Sequence, residues 1–529
     1  YQCYNNKMRL KKLSQNQLTN GTAWLAFGNI TSRVLGALYV IPWTMMLGAL
    51  SLQANTLMGK GYNLYQFFLM LSTAGLPSAV AKFTARLEGN SKHQFLKNAT
   101  RLSWVAGFIC CIALWSLAPI LSASDVKLIP VLRSLSLAVL VFPFLSVLRG
   151  RLQGELRMAE IAKSDVIEQV VRVAYMLGSA YVILQLQHGS WVTVVVHSTF
   201  AASIGAWVAT LYLLFCTNSL SKKQLLNADS LKENSEPEII DFKHIIVQSL
   251  PFVVIGGFLV AYQWIDQFSF HVLMSKFNPM LSSNKIETIF GLFNFNSNKL
   301  IMIVVSLSVS IASTILPLIS KSRYNHEVLR KYISQAYVLF CAITLPACAA
   351  LYSLSKPVYI LFYGNYAAES LYIPMVQISA VIALFMGLTS VLAMILQGLS
   401  KTGIALRAIG WGMAVKILCQ PIMIYLTSSL GALLSTFISL VIVTIIMGSY
   451  INHRFELLDF LNTKVLNAVY VSAFMLLILF TGLSLLSNHF VPDTRVSSGL
   501  FLALVGSLGG LLVLVIYQKC HVLDVLKNR

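Results

Sequence analysis

Charged residues are scarce in this sequence. Only 11% of its 529 residues are Asp, Glu, Lys or Arg, whereas 57% are hydrophobic. A soluble globular domain carries about 25% charged residues. Because no soluble core of this length could absorb so much apolar surface, we expect lipid to be the solvent of most of the chain. The composition therefore excludes an ordinary soluble enzyme and favours a membrane protein.

Acidic residues are scarcer still: 19 Asp and Glu stand against 39 Lys and Arg, which gives a formal net charge of +20. In a soluble protein this excess would suggest a nucleic-acid partner. In a membrane protein it more often reflects basic residues gathered in cytoplasmic loops. We therefore expect the membrane, and no nucleic acid, to be a partner of this chain.

Recognisable catalytic and cofactor motifs are also lacking. The eight cysteines form no CxxC pair, which argues against a zinc site or a disulfide framework. The sequence has no Walker motif and no HExxH cluster, and its predicted outer loops carry only scattered acids. A membrane glycosyltransferase or ligase would need such acids or histidines for acid–base work. We expect no cofactor, no metal and no enzymatic activity.

What the sequence does contain is fourteen apolar runs long enough to cross a bilayer, which takes about 20 mostly apolar residues in a helix. They lie near 23–49, 62–84, 98–121, 130–152, 163–186, 190–216, 246–274, 298–320, 332–354, 372–397, 403–427, 429–451, 465–487 and 497–518. We predict an all-α polytopic membrane protein with fourteen transmembrane helices.

Positive charge alternates between successive loops. With the N-terminus inside, the inner segments and their helix edges hold 28 of the 39 Lys and Arg residues, and the outer segments hold 8. Short cytoplasmic loops of membrane proteins carry such an excess. The pattern therefore predicts that both termini lie in the cytoplasm.

The two halves of the chain share short motifs at a constant offset of 244 residues. Leu152-Gln153-Gly154 matches Leu396-Gln397-Gly398, and Arg172 matches Lys416. Repeats of six spans return the chain to the same side, so they are related by an axis along the membrane normal. We predict two parallel six-helix lobes plus two C-terminal helices: an N-lobe at 1–217, a cytoplasmic linker at 218–245, a C-lobe at 246–455 and spans 13 and 14 at 456–529.

Ionisable residues within the predicted spans are the candidate functional residues. A cation at the centre of a membrane helix costs about 2.5–3.5 kcal/mol on insertion scales, so it usually faces a cavity or a partner. Cations outnumber acids at these positions, and Arg and Lys are the side chains that bind phosphate. We predict a cationic cavity for a pyrophosphate group, formed by Arg33, Lys299, Arg172 and Lys416, with Asp266 and Glu168 as ion-coupling or counter-ion residues.

Most of these residues also have a purely structural interpretation. Glu168 and Arg172 are four residues apart, which allows an ion pair along one helix. Lys416 can reach a helix end, and Lys299 can anchor its helix at the membrane interface. Asp266 is either the counter-ion of one of the cations or a proton or sodium site.

Several motifs resemble a known family of exporters. Ser32-Arg33-Val34-Leu35-Gly36 resembles the first-helix motif of the MurJ/MviN lipid II flippases. Six further stretches resemble the Gram-positive branch of that family. This branch includes the stage V sporulation protein B type of polysaccharide-biosynthesis proteins. The stretches are Leu35 to Pro42, Leu64-Tyr65-Gln66, Leu71 to Pro77, Lys356-Pro357-Val358, Leu361 to Gly364 and Leu396-Gln397-Gly398.

The resemblance implies the fold of the multidrug/oligosaccharidyl-lipid/polysaccharide (MOP) exporter superfamily in a bacterial plasma membrane. It implies that Arg33 is a cavity arginine used for the pyrophosphate, and that Lys299 lies near a cationic position of the eighth helix. One difference concerns the residues after the Arg33 motif. The flippases usually carry a second basic residue there, whereas this chain has Tyr39 and Val40.

The function expected from this resemblance is translocation of lipid II, an undecaprenyl-pyrophosphate-linked cell-wall precursor, from the inner to the outer leaflet by alternating access. Its partners would be the lipid-linked oligosaccharide and cell-wall synthesis proteins. Two alternatives remain open: a flippase for another polyprenyl-linked polysaccharide repeat unit, and an ion-coupled multidrug antiporter of the MATE type.

Overall fold

The structure is a computed structural model of the chain. It describes Trp24, Gly28 and residues 31–520, apart from residues 74–75, 88, 124, 226–241, 322–324, 457–462 and 491–493. Most of the predicted linker at 218–245 therefore lies outside the described residues.

The described residues form helices and no strand. In chain order the helices are α1 (31–38), α2 (Val40–Leu47), α3 (Ser51–Thr73), α4 (Leu76–Arg86), α5 (Gly89–Leu121), α6 (Leu128–Gly154), α7 (Met158–Tyr181), α8 (Trp191–Leu225), α9 (Phe242–Phe277), α10 (Ser283–Gly291), α11 (Asn298–Lys321), α12 (His326–Ser353), α13 (Ser355–Tyr363), α14 (Glu369–Gly398), α15 (Thr402–Thr427), α16 (Gly431–Phe455), α17 (Thr463–Phe490) and α18 (Arg495–Lys519).

Eleven helical segments of the described chain are long and apolar enough to cross a membrane. Two of them, Thr31–Thr73 and Thr402–Phe455, contain 43 and 54 residues. Each is more than twice as long as the roughly 20 residues that one crossing requires. The all-α prediction is therefore confirmed for the described residues, and the count of fourteen spans stays a prediction.

Side-chain caps determine where some of these helices begin. Asn325 accepts a hydrogen bond from the backbone N–H of Val328 at the start of α12 (3.2 Å). Thr494 and Ser497 bond reciprocally to each other's backbone N–H groups at the start of α18, which forms a capping box. Such caps satisfy N–H groups that the first turn of a helix leaves without partners.

Three short helical elements lie in segments that the sequence assigned to outer loops or helix edges. A π-helical segment, Leu292–Ser297, joins the nine-residue α10 to α11, and all six of its residues are buried. The third element is α13, which also has nine residues. Hydropathy missed the π-helical segment because Asn294 and Asn296 interrupt its apolar residues, and it missed α13 because nine residues are too few to span a bilayer.

The chain divides into two compact units. Unit 1 comprises the residues up to Tyr39 together with Lys60–Val253, and unit 2 comprises Val40–Gly59 together with the chain from Val254 onward. Within unit 2, α2 is tied to later parts of the chain because Thr44 donates a hydrogen bond to the carbonyl of Phe362 (2.7 Å) and Arg495 donates one to the carbonyl of Ile41 (3.0 Å). The predicted lobe boundaries stay a prediction.

Candidate functional site

Arg33 of unit 1 lies in a helical stretch that packs closely on α7. A Cβ atom at Gly28 would lie 2.8 Å from the Cβ of Ala162, and one at Gly36 would lie 3.2 Å from the side-chain nitrogen of Gln169. Arg33 itself is exposed, and no hydrogen bond or ion pair engages it within the described part of the chain. Within the described residues, its five N–H donors are therefore not engaged by the protein.

Arg172, also in unit 1, is held by aromatic residues. It donates a hydrogen bond to the hydroxyl of Tyr62 (2.6 Å), and its guanidinium carbon lies 5.3 Å from the centre of the same ring. Tyr65 packs edge-on against Tyr62 with ring centres 6.0 Å apart. Among the described residues, the hydrogen-bond partner of Arg172 is thus neutral, and no carboxylate forms an ion pair with it.

Glu168 pairs with a different arginine from the one that the sequence suggested. Arg149 of α6 donates hydrogen bonds to Glu168 (2.7 Å) and to the hydroxyl of Ser164 (3.1 Å), and it forms an ion pair with Asp165 (2.8 Å). The predicted ion pair between Glu168 and Arg172 along one helix is therefore wrong. A guanidinium from the adjacent helix instead contacts both Glu168 and Asp165.

Lys416 of unit 2 is fully buried and surrounded by oxygen atoms. Its Nζ donates to the Asp266 carboxylate (2.6 Å), to the Thr436 hydroxyl (2.6 Å), to the Ala432 carbonyl (2.9 Å) and to the Ser435 hydroxyl (3.1 Å). Its exposed fraction is 0%. The geometry supports the interpretation of Asp266 as a counter-ion, and it leaves Lys416 no exposed atom with which to bind phosphate.

The surface of α15 explains how a lysine is tolerated in the middle of an apolar helix. Leu418 and Tyr425 are 70% and 69% exposed, whereas Lys416 and Gln420 are buried. This arrangement suits a helix whose outer face meets lipid, because a charge on that face would have no partner. Gln420 donates a second hydrogen bond to the Asp266 carboxylate (3.0 Å).

A cavity of unit 2 adjoins this ion pair. Its lining includes Asp266 and Thr436 together with the polar residues Gln263, Asn294 and Ser379. The Oε1 atom of Gln263 and the Oγ atom of Ser379 are buried and have no hydrogen-bond partner among the described residues. The cavity thus exposes oxygen acceptors, whose usual ligands are water, hydroxyl groups or cations.

Lys299 stands at the first turn of α11 and is half-buried. Its Nζ lies 5.9 Å from the centre of the Phe295 ring, in the π-helical segment that precedes α11. A cation is attracted to the face of an aromatic ring, so this contact is favourable for the Lys299 ammonium.

Comparison with known proteins identifies the family. A profile described as "Polysaccharide biosynthesis protein" matches residues 18–323. The lipid II flippase MurJ of Bacillus subtilis (strain 168) is 30% identical to this chain over 448 residues, which amount to 80% of each chain. The chain belongs to the polysaccharide biosynthesis protein family. Its predicted resemblance to the MurJ/MviN flippases is thereby confirmed.

Solved structures show how this polysaccharide biosynthesis protein folds. A lipid II flippase MurJ in an inward closed conformation has a TM-score of 0.62 at 13% sequence identity, over 94% of this chain and 99% of that one. A MOP superfamily transporter from Pyrococcus furiosus has a TM-score of 0.60 at 14% identity, over 83% of this chain and 96% of that one. The protein therefore has the fold of the MOP superfamily and is a multi-pass membrane protein.

The structure brings together only some of the predicted site residues of this family member. It pairs Asp266 with Lys416, and it separates Glu168 from Arg172 by giving each another partner. Sequence reasoning missed Tyr62, because tyrosine is common in membrane helices and nothing in its spacing points to Arg172. It missed Arg149 because that residue was counted among the cytoplasmic cations.

Proposed function

We propose that this protein is a flippase that moves an undecaprenyl-pyrophosphate-linked cell-wall precursor, lipid II first, from the inner to the outer leaflet by alternating access. The observation that carries the proposal is the 30% identity to a lipid II flippase over 80% of both chains. In this proposal both termini are cytoplasmic, and cell-wall synthesis proteins receive the product. The resemblance and the cation excess together favour a carrier over an enzyme.

The geometry of unit 1 supports an anionic substrate. Arg33 has no hydrogen-bond or ion-pair partner among the described residues, and Arg172 is held by a phenol rather than by a carboxylate. Both guanidinium groups therefore retain their positive charge toward a ligand. Arginine matches pyrophosphate because its planar fork can donate two parallel hydrogen bonds to phosphate oxygens. Lys299 of unit 2 is a further predicted ligand of the pyrophosphate, because lysine also binds phosphate as a point charge.

A second candidate function is export of another polyprenyl-linked polysaccharide repeat unit. It is favoured by the family description, which refers to polysaccharide biosynthesis rather than to one precursor. The pyrophosphate end of such a substrate would be the same, so the arginines do not distinguish the two. The structure gives less support to an ion-coupled multidrug antiporter. Asp266, the predicted ion-coupling residue, is already paired with Lys416.

Substitution of Arg33 tests the proposal. In a bacterial strain depleted of its own flippase, the unmodified chain should restore growth, and Arg33→Ala should fail although the protein reaches the membrane in equal amount. Loss of hydrogen bonds to a charged group should weaken pyrophosphate binding about 10- to 100-fold. Colony counts and membrane immunoblots provide the measurement.

Arg101→Ala is the matched control, because Arg101 is another exposed arginine on a helix of unit 1. It should complement like the unmodified chain. Full complementation by Arg33→Ala would remove Arg33 from the mechanism.

A further inference from the structure

The cage of oxygen atoms around Lys416 has the composition of a cation site. Its four members are a carboxylate, a backbone carbonyl and two hydroxyls, and they lie 2.6–3.1 Å from Nζ. An ammonium group has three N–H donors and no acceptor. Four oxygen atoms around three donors indicate that Nζ is held as a point charge as well as a hydrogen-bond donor.

We propose that the Lys416 ammonium occupies a monovalent-cation site in unit 2 as a tethered substitute for a soluble ion such as Na⁺. The site unites Asp266 from α9 with Ala432, Ser435 and Thr436 from the first turns of α16, while the ammonium comes from α15. Oxygen atoms of this kind are the ligands that hard cations prefer. A single positive charge neutralises Asp266 whether it belongs to Lys416 or to a bound ion.

The adjoining cavity supplies what a soluble ion would need once the lysine stem is removed. Asp266 and Thr436 belong both to the oxygen cage and to the cavity lining. Ser379 is only 1% exposed, and its hydroxyl has no partner among the described residues although it lines this cavity. Shortening of Lys416 would therefore leave the Asp266 carboxylate without a cation, bonded to the neutral Gln420 amide, beside a cavity lined by further oxygen atoms.

Two consequences follow for this protein. The native protein should bind no Na⁺ at Asp266, so a soluble cation at this carboxylate does not drive it. Lys416→Ala should convert the same oxygen atoms into a functional Na⁺ site. The inference extends the proposed flippase activity, but it concerns ion binding and can be tested whatever the substrate proves to be.

The experiment measures thermal unfolding of the purified full chain in detergent, in NaCl or in choline chloride at equal ionic strength. The native chain should unfold at the same temperature in both salts. Lys416→Ala should unfold at a temperature about 3 °C or more higher in NaCl, because an ion that binds only the folded state stabilises it. Asp266→Asn combined with Lys416→Ala should lose this difference.

Lys299→Ala is the matched control, because it removes another cation of unit 2 that has no part in the cage. It should show no specific response to Na⁺. Equal unfolding temperatures of Lys416→Ala in both salts would overturn the proposal, and so would an Na⁺ response of the native chain that Asp266→Asn abolishes.

Poor folding of Lys416→Ala would still give a decisive result. If its yield is rescued by purification in NaCl but not in choline chloride, the site binds Na⁺ as proposed. If the yield is equally low in both salts while the double variant with Asp266→Asn accumulates normally, the oxygen cage binds no soluble ion and the proposal fails.

Discussion

At the scale of single residues, the buried Lys416 and the partly buried Arg172 are held by different chemistry. Lys416 contacts a carboxylate, whereas Arg172 contacts the hydroxyl and the ring of Tyr62. Burial of a charge in an apolar environment is costly unless the charge is paired and hydrogen-bonded. Lys416 meets this requirement because the Asp266 carboxylate neutralises its charge. Arg172 meets it with a neutral donor–acceptor group, which keeps its positive charge available.

The bond to Tyr62 can be tested by Tyr62→Phe. This substitution removes the hydroxyl that accepts from Arg172 and keeps the ring beneath the guanidinium. A hydrogen bond to a charged group contributes about 1.5–3 kcal/mol, so the variant should unfold at a lower temperature in detergent. Tyr425→Phe is the control, because it removes a hydroxyl from a tyrosine that is 69% exposed. An unchanged unfolding temperature for Tyr62→Phe would show that the hydroxyl contributes nothing to holding Arg172.

Residue spacing in the sequence could identify the ionisable residues within the spans but not their partners. Lys416 and Asp266 are 150 positions apart, and only the packing of α15 against α9 and α16 brings them together. Glu168 and Arg172 are spaced for a pair on one helix, yet Arg149 on the next helix binds Glu168 instead. Spacing along one helix cannot reveal a competitor that a neighbouring helix supplies.

At the scale of elements, a chain of buried amides and aromatic residues joins four segments of unit 2. The indole N–H of Trp43 donates to Asn55 (3.1 Å), and Asn55 donates to the side chain of Asn296 (3.0 Å). Asn296 in turn donates to the hydroxyl of Tyr359 (2.9 Å). These bonds link α2, α3, the π-helical segment and α13, and they explain why Val40–Gly59 belongs to unit 2.

Asn55→Leu should break this link between elements. It would leave the indole N–H of Trp43 and the side-chain amide oxygen of Asn296 buried without these partners, at a cost of about 1–3 kcal/mol for each. The unfolding temperature should fall accordingly. The double variant Trp43→Phe with Asn55→Leu should cost less than the two single variants added together, because residues in one network are coupled. Strictly additive effects would contradict the network.

Helix positions were more predictable than the short elements between them. The run predicted at 298–320 corresponds to α11 at Asn298–Lys321, because a long apolar stretch has few alternatives to a membrane helix. In contrast, α10 and α13 have nine residues each, and their stability depends on burial against other parts of unit 2. The hydrogen-bond network of Trp43, Asn55, Asn296 and Tyr359 could not be predicted from the sequence. Asparagine and tyrosine carry no charge, so they do not stand out as unusual in a membrane span.

At the scale of the whole molecule, composition, family and fold agree on a membrane carrier. The scarcity of charge predicted lipid as solvent, and the eleven membrane-length helices of the described chain support it. The family match covers residues 18–323, and the MurJ fold covers 94% of the chain. The excess of cations over acids within the spans favours an anionic substrate, which the lipid-linked precursors provide through their pyrophosphate.

We propose that this chain brings lipid II to the outer leaflet. The most direct measurement is the fraction of lipid II that an externally added hydrolase can cleave, in cells depleted of their own flippase and rescued by this chain. We predict that the native chain restores cleavage to the level seen before depletion and that Arg33→Ala does not. Lipid II that stays protected from the hydrolase in cells that express the native chain in their membranes would contradict the account.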